Sequence, residues 1–178
     1  AGLSLWLFRA RAGRGSWIAW ALALGLSAGA LAQSERIVSA LDAALYQDDI
    51  ILAERTPYQA ITITRFRDRV RLFLDQSIQF DSRDEHRYHE ALVHPVMARV
   101  ARPARVLILG GGDGMAAREV LRHQAVESVT LVDLDPRVTQ IFRDHDDLAA
   151  LNGGSLRDPR LRVVNADAWT FLAGDGPA

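Results

Sequence analysis

The stretch from Val106 to Asp135 constrains this chain more than any other. An aliphatic run, Val106-Leu107-Ile108-Leu109, leads into Gly110-Gly111-Gly112-Asp113-Gly114, then a helical segment, then Val129-Thr130-Leu131-Val132-Asp133-Leu134-Asp135-Pro136. Aliphatic residues without polar alternation suit a parallel strand buried on both faces. Glycines directly after such a strand let the backbone turn and come close to a ligand, and a carboxylate about twenty residues further on is placed for ribose hydroxyls. Strand, glycine turn, helix, strand and acid in that order predict an α/β fold with a nucleoside at the carboxyl edge of a Rossmann-like parallel sheet. Gly110, Gly112 and Asp133 are its nucleoside-binding candidates.

Asp113 narrows the choice of nucleoside. A pyrophosphate rests on bare backbone N–H groups at a helix N-terminus, and a carboxylate inside that loop repels it. The acid therefore argues against NAD, FAD and ATP, and for a sulfonium or ammonium ligand of the S-adenosylmethionine type. The competing role for Asp113 is to cap the following helix, where carboxylates are favoured; both roles can coexist.

Further along, Met115 to His123 reads as a helix, Asp135-Pro136 starts the next with proline in its first turn, and Arg160 to Val164 reads as a third strand. That strand ends in Asn165-Ala166-Asp167-Ala168, at the edge where open α/β sheets hold ligands. Asp167 can accept a hydrogen bond from an adenine amino group, or cap the helix before Trp169.

Upstream, from Asp49, the period changes to two. Ile50–Glu54, Tyr58–Thr64, Val70–Leu74 and Ile78–Phe80 are expected as short antiparallel strands, with Ile61 and Ile63 on a buried face and Thr62 and Thr64 on a wet one. This small sheet suits a lid or a dimer surface. A helix is then expected from a capping box at Ser82 and Glu85 to about Ala101, bent or split near Pro95. His86, His89, Glu90 and His94 lie on it, but His89 and His94 are one residue further apart than a zinc helix requires, so no metal is expected.

Composition excludes several classes. The 178 residues include no cysteine, which rules out disulfides, thiolate metal sites and a cysteine nucleophile. A formal net charge of −1 leaves no electrostatic footprint for nucleic acid, although arginines far outnumber lysines.

At the N-terminus, Ala1–Phe8 is apolar, Arg9, Arg11 and Arg14 are basic, and Trp17–Ala32 carries no charge. The pattern predicts a transmembrane helix, with Trp17 and Trp20 as interfacial anchors, at the end of a multi-helix region. A signal peptide ending at Ala30-Leu31-Ala32 and a buried soluble helix are the alternatives. The expected organisation is therefore a membrane segment at residues 1–32, an amphipathic connector at 33–48, a β unit at 49–81 and a nucleoside-binding domain at 82–178. The start at Ala1, and an end where a further strand should begin, read as the ends of a fragment.

Six motifs stand in order: Thr56-Pro57-Tyr58-Gln59, Leu74-Asp75-Gln76-Ser77-Ile78-Gln79, Asp84-Glu85-His86-Arg87-Tyr88-His89-Glu90, Gly110-Gly111-Gly112-Asp113-Gly114, Val132-Asp133-Leu134-Asp135 and Asn165-Ala166-Asp167-Ala168. Through them the chain, from about Tyr46 onward, resembles the spermidine synthase (polyamine aminopropyltransferase) family in its bacterial membrane-bound form. A glycine loop alone is weak; six ordered motifs are strong.

The resemblance implies transfer of an aminopropyl group from decarboxylated S-adenosylmethionine, as cosubstrate rather than bound cofactor, to putrescine. It implies that Gln59 contacts the nucleoside, Asp133 the ribose, and Asp167 with the Ala168 backbone the adenine, while Gln79, Tyr88, His89 and Asp113 face the amine and the aminopropyl chain. It implies a dimer or tetramer at the bacterial plasma membrane with the catalytic domain in the cytoplasm, although Arg9, Arg11 and Arg14 taken alone would put that domain outside. The chemistry agrees: an amine attacking the carbon beside a sulfonium needs carboxylates to hold cations and a base to take a proton.

Two positions depart from the family pattern, Asp133 where glutamate is usual and Gln76 where glycine is common. The family's catalytic aspartate falls beyond Ala178, so the 178-residue chain is not expected to turn over alone. Alternatives are an S-adenosylmethionine-dependent methyltransferase, a non-catalytic nucleoside or polyamine sensor, a regulatory domain of a transporter, and an α/β domain with an empty cleft.

Overall fold

The uncharged run after Arg14 forms a helix, α1 (Arg14–Ala32), in a computed structural model that describes residues 14–34, 46 and 48–174. The chain divides into two units, residues 1–47 and 48–178, and α1 belongs to the first. Trp17, Leu22, Leu26 and Leu31 are all exposed, so the helix is apolar on every side. No helix among the described residues is long and apolar enough to cross a membrane. This overturns the transmembrane helix and the multi-pass plasma-membrane location expected from the sequence. The expected connector falls mostly on residues 35–45, outside the described residues.

In the second unit the period-two pattern folds as a four-stranded antiparallel sheet. Its strands, β1 (Asp49–Arg55), β2 (Ala60–Phe66), β3 (Arg69–Leu74) and β4 (Ser77–Asp81), lie in chain order. Thr62 and Thr64 do not face water: both are buried, like Ile61 and Ile63 beside them, so β2, an interior strand, is covered on both faces. The β3–β4 turn places Asp75 at φ 47° and Gln76 at φ 66°, with Leu74 paired to Ser77. Two left-handed residues in a two-residue hairpin explain why glycine suits position 76 better than glutamine.

Next come α2 (Glu85–Met97), β5 (Arg105–Leu109), α3 (Met115–Leu121), β6 (Ser128–Asp133), α4 (Pro136–Asp144), α5 (Asp146–Leu151), a 3₁₀ turn (Ser155–Arg157), β7 (Leu161–Asn165) and α6 (Ala168–Leu172). β5, β6 and β7 form a parallel sheet in that order, joined through helices as the sequence predicts. The start of α2 differs from expectation. Asp84 takes the N-cap position without a side-chain hydrogen bond, while the Ser82 hydroxyl accepts from the Val70 N–H at 2.9 Å and so ties the sheet to the helix entry. Pro95 neither splits nor ends α2, since the helix stops two residues later at Met97.

One hydrophobic core joins both sheets. Ile61, Ile63, Leu72 and Phe80 from the antiparallel sheet pack with Met115, Leu131, Ile141 and Phe142, and the Phe80 and Phe142 rings meet edge to face at 5.7 Å. Polar contacts fix the angle between the layers. Glu54 receives both Nε and Nη2 of Arg137 at 2.6 and 2.7 Å, and the buried Asp135 carboxylate accepts from the Thr56 hydroxyl at 2.7 Å and the Gln59 amide at 3.0 Å. Asp135 also caps α4 by accepting from the Arg137 N–H at 2.9 Å. The β1–β2 turn is thus clamped over the carboxyl edge of the parallel sheet.

Candidate active site

At the end of β5 the chain turns through Gly110 and Gly111, at φ 81° and 77°, a region that side chains with a Cβ rarely enter. Gly112 is required for a different reason. Its N–H donates to Asp133 Oδ2 at 2.8 Å, and a Cβ there would lie 2.8 Å from the Asp133 carboxyl carbon. The other Asp133 oxygen accepts from the Asp135 N–H at 3.0 Å, so the carboxylate is oriented by two backbone donors before any ligand arrives.

Asp113 stands at the start of α3 and at the cavity. Its Oδ1 accepts from the Met115 N–H at 2.9 Å in the first turn of α3, and its side chain lines the cavity above the loop. Beneath, Asn152 donates to the Asp113 carbonyl at 2.8 Å and Ser155 to the Gly114 carbonyl at 2.7 Å. Both clamping side chains are buried. Sequence reasoning missed them: Leu151-Asn152-Gly153-Gly154-Ser155 looks like a plain linker, and only the tertiary fold shows what its polar side chains bond.

The cavity has a volume of about 490 Å³, within the range of small-molecule sites. It brings together all ten residues singled out from the sequence. Gly110, Gly112, Asp113 and Asp133 form the loop side; Tyr88 and His89 come from α2, Gln79 from β4, Gln59 from the β1–β2 turn, and Asp167 and Ala168 from the start of α6. Leu72, Leu74, Ile108 and Val138 supply apolar walls, and Tyr58 and Leu134, which stand in the sequence motifs without a site role, also line it. Gln59 has its amide NH₂ on Asp135, and Gln79 is exposed, donating to the Ser77 carbonyl at 3.2 Å. Asp167 caps α6, accepting from the Thr170 N–H at 2.8 Å and its hydroxyl at 3.0 Å, and still lines the cavity.

The lining is one-signed. Among the described residues it contains Asp113, Asp133 and Asp167 and neither arginine nor lysine, in a chain with 21 basic residues. Burial raises the Asp113 carboxyl above its ordinary value, against the opposing Met115 N–H and nearby His89. Burial likewise raises Asp133, against the Asp135 and Gly112 N–H groups. Asp167 is lowered, chiefly by the Thr170 N–H.

These directions give a testable sign. A carboxyl raised by folding holds its proton to higher pH than in the unfolded chain, so stability falls as pH climbs from the ordinary aspartate value through the raised ones. A cationic ligand needs the carboxylate, so its affinity rises over the same interval and its binding releases protons. Calorimetric titration in buffers of different ionisation enthalpy is expected to show that release, and proton uptake would contradict it.

A second group deserves a metal test on geometry. Ligand atoms of Glu90, His94 and Glu119 lie within 4.8 Å of one another. Arg122, however, stands 2.7 Å from Glu119 and 3.9 Å from Glu90, and Arg118 contacts Glu119 at 2.8 Å, so guanidinium groups already supply the positive charge.

The parallel sheet, with its glycine turn at the carboxyl edge and an acid closing the next strand, defines a Rossmann-like α/β domain. The chain belongs to the spermine/spermidine synthase family, whose domain profile matches residues 85–174. It is 48% identical over 181 residues to polyamine aminopropyltransferase 2 of Ralstonia nicotianae, covering 97% of this chain and 35% of that protein. It is 56% identical over 128 residues to a polyamine aminopropyltransferase of Oceanobacillus iheyensis, covering 72% of this chain and 25% of that one. Among solved structures it is similar to spermidine synthase from Thermotoga maritima, at 34% identity and a TM-score of 0.65 over 70% of this chain and 43% of that chain. A spermidine synthase solved with the transition state analogue AdoDATO gives 34% identity and a TM-score of 0.66, covering 71% of this chain and 43% of that chain. The chain spans about a third of the length of the first curated relatives it matches.

Proposed function

We propose that the full-length protein is a spermidine synthase, transferring an aminopropyl group from decarboxylated S-adenosylmethionine to putrescine. The observation that carries this is the cavity lining, with three carboxylates and, among the described residues, no arginine or lysine. Such a lining holds cations, and both substrates are cationic. In the transfer, the amine nitrogen attacks the methylene carbon beside the sulfonium; a C–N bond forms, the C–S bond breaks, its electron pair goes to sulfur and the nitrogen loses a proton. The products are spermidine and neutral methylthioadenosine.

In this assignment Asp133 holds the ribose hydroxyls, Asp167 and the Ala168 backbone the adenine, and Gln59 the nucleoside flank. Asp113, with Tyr88, His89 and Gln79, faces the aminopropyl chain and the amine. Relatives named polyamine aminopropyltransferase and a relative solved with AdoDATO support the same chemistry. A methyltransferase would keep the methionine carboxylate on its cosubstrate, and Asp113 would repel it. The test is product formation by the full-length protein. Spermidine and methylthioadenosine in equal amounts are expected from the decarboxylated donor, with no methylated product from S-adenosylmethionine; the reverse pattern would move the protein to the methyltransferases.

A further inference from the structure

Among the described residues that line the cavity, His89 is joined through Glu85 to the ion pairs of Arg118 with Glu85 and Glu119. Its ring is buried on α2, one turn after Glu85. Nδ1 lies 2.9 Å from the Glu85 backbone carbonyl and 2.8 Å from Glu85 Oε2. Both partners accept hydrogen bonds, so Nδ1 carries the hydrogen and donates it. The nitrogen left for a ligand is Nε2, with its lone pair.

Glu85 is itself fixed. Arg118 Nη2 donates to both of its oxygens, at 2.9 and 3.0 Å, across from α3. Arg118 is held in turn by Glu119, which takes its Nε at 2.8 Å, and by the Leu151 carbonyl, which takes Nη1 at 2.6 Å. The Glu85 and Glu119 carboxylates are almost wholly shielded from solvent. Burying two carboxylates and a guanidinium is costly in desolvation and a poor way to gain stability alone. The arrangement does, however, lock a ring orientation and a tautomer, as a carboxylate behind a histidine does in many sites.

We propose that Glu85, clamped by Arg118, is a positioning residue that fixes His89 as the Nδ1–H tautomer, so that Nε2 accepts a hydrogen bond from the N–H of the amine substrate. This rests on the aminopropyl-transfer assignment. Glu85 touches no substrate and acts only through His89. Arg118 balances the Glu85 charge, so the carboxylate orients the ring without adding a fourth net negative group to the cavity.

The test combines ring-nitrogen NMR with steady-state kinetics on the full-length protein. Wild-type His89 is expected to show its hydrogen on Nδ1. In Glu85→Gln the amide can donate to Nδ1, the Nδ1–H population falls, and kcat/KM for the amine drops about tenfold or more, while KM for the nucleoside donor stays within about twofold. Since both changes act through one ring, His89→Asn combined with Glu85→Gln should be no worse than His89→Asn alone. Arg118→Lys keeps the charge but loses the two-oxygen clamp, and is expected to give a smaller drop of the same kind.

Hydrogen on Nε2 in the wild type, an unchanged kcat/KM in Glu85→Gln, or multiplying effects in the double variant would each overturn the proposal. Should Glu85→Gln fail to fold, the wild-type tautomer still decides. A wild-type protein that makes no spermidine would instead sink the functional assignment, and the tautomer measurement is independent of that outcome.

Discussion

Asp113→Asn is expected to lower aminopropyl transfer by roughly 30-fold to 1000-fold, corresponding to the loss of about 2–4 kcal/mol of cation binding in a partly desolvated site. The substitution is close to isosteric. The amide oxygen can still accept from the Met115 N–H that Asp113 now holds at 2.9 Å, so the loop keeps its shape and only the charge is lost. Burial disfavours the charged carboxyl in the ligand-free fold. The neutral variant is therefore expected to be at least as stable as the wild type at neutral pH, the usual sign of a residue kept for function rather than for folding. A thermal melt alongside the kinetics separates the two effects: a lower melting temperature together with unchanged turnover would reverse both parts of the expectation.

Gly114→Ala is expected to produce the largest loss of stability. Gly114 caps α3 at φ 80°, a conformation that costs an L-residue about 1–2 kcal/mol. A Cβ there would also sit 2.7 Å from Ser155 Oγ, 2.8 Å from Leu156 Cγ and 2.9 Å from Asn152 Nδ2. All three neighbours are buried, and Ser155 and Asn152 are the side chains that hold the Gly114 and Asp113 carbonyls. Overpacking adds about 1–3 kcal/mol, so the total should reach about 3 kcal/mol or more. For a domain of this size that lowers the melting temperature by roughly 6–12 °C. Gly154→Ala is the control: φ is 72°, but nothing lies within 4 Å of the new Cβ, so only the backbone cost should appear. Equal losses in the two variants would show that contact with Ser155, Leu156 and Asn152 is not what restricts position 114.

The parts of this site that could be read from sequence are those whose signal is local. Val106–Leu109, the glycines and Asp133 announce a strand, a turn and an acid through their spacing, because a βαβ unit fixes those distances along the chain. Asp135 before Pro136 announces a helix start for the same reason. What escaped depends on groups far apart in sequence. Glu85 fits a capping box with Ser82 by spacing, yet its carboxylate is drawn to Arg118, 33 residues away, and to His89. Thr62 and Thr64 alternate like a wet face, but β2 lies inside its sheet and both faces are covered. Asn152 and Ser155 reach back about 40 residues to the glycine loop, a contact that no short pattern encodes. The N-terminal run reads as a membrane span from its composition, whereas no helix among the described residues is both long and apolar enough to cross a membrane.

The central claim is that an acid in the glycine loop makes this cavity select positive charge. Calorimetric titration of wild type and Asp113→Asn with decarboxylated S-adenosylmethionine and with neutral methylthioadenosine measures it directly. The variant is expected to lose affinity for the sulfonium by at least about tenfold while binding methylthioadenosine as the wild type does, since the proposal assigns adenine and ribose to Asp133, Asp167 and the Ala168 backbone. Equal sulfonium affinity in both proteins, or a loss shared equally by the neutral nucleoside, would contradict the role given to Asp113.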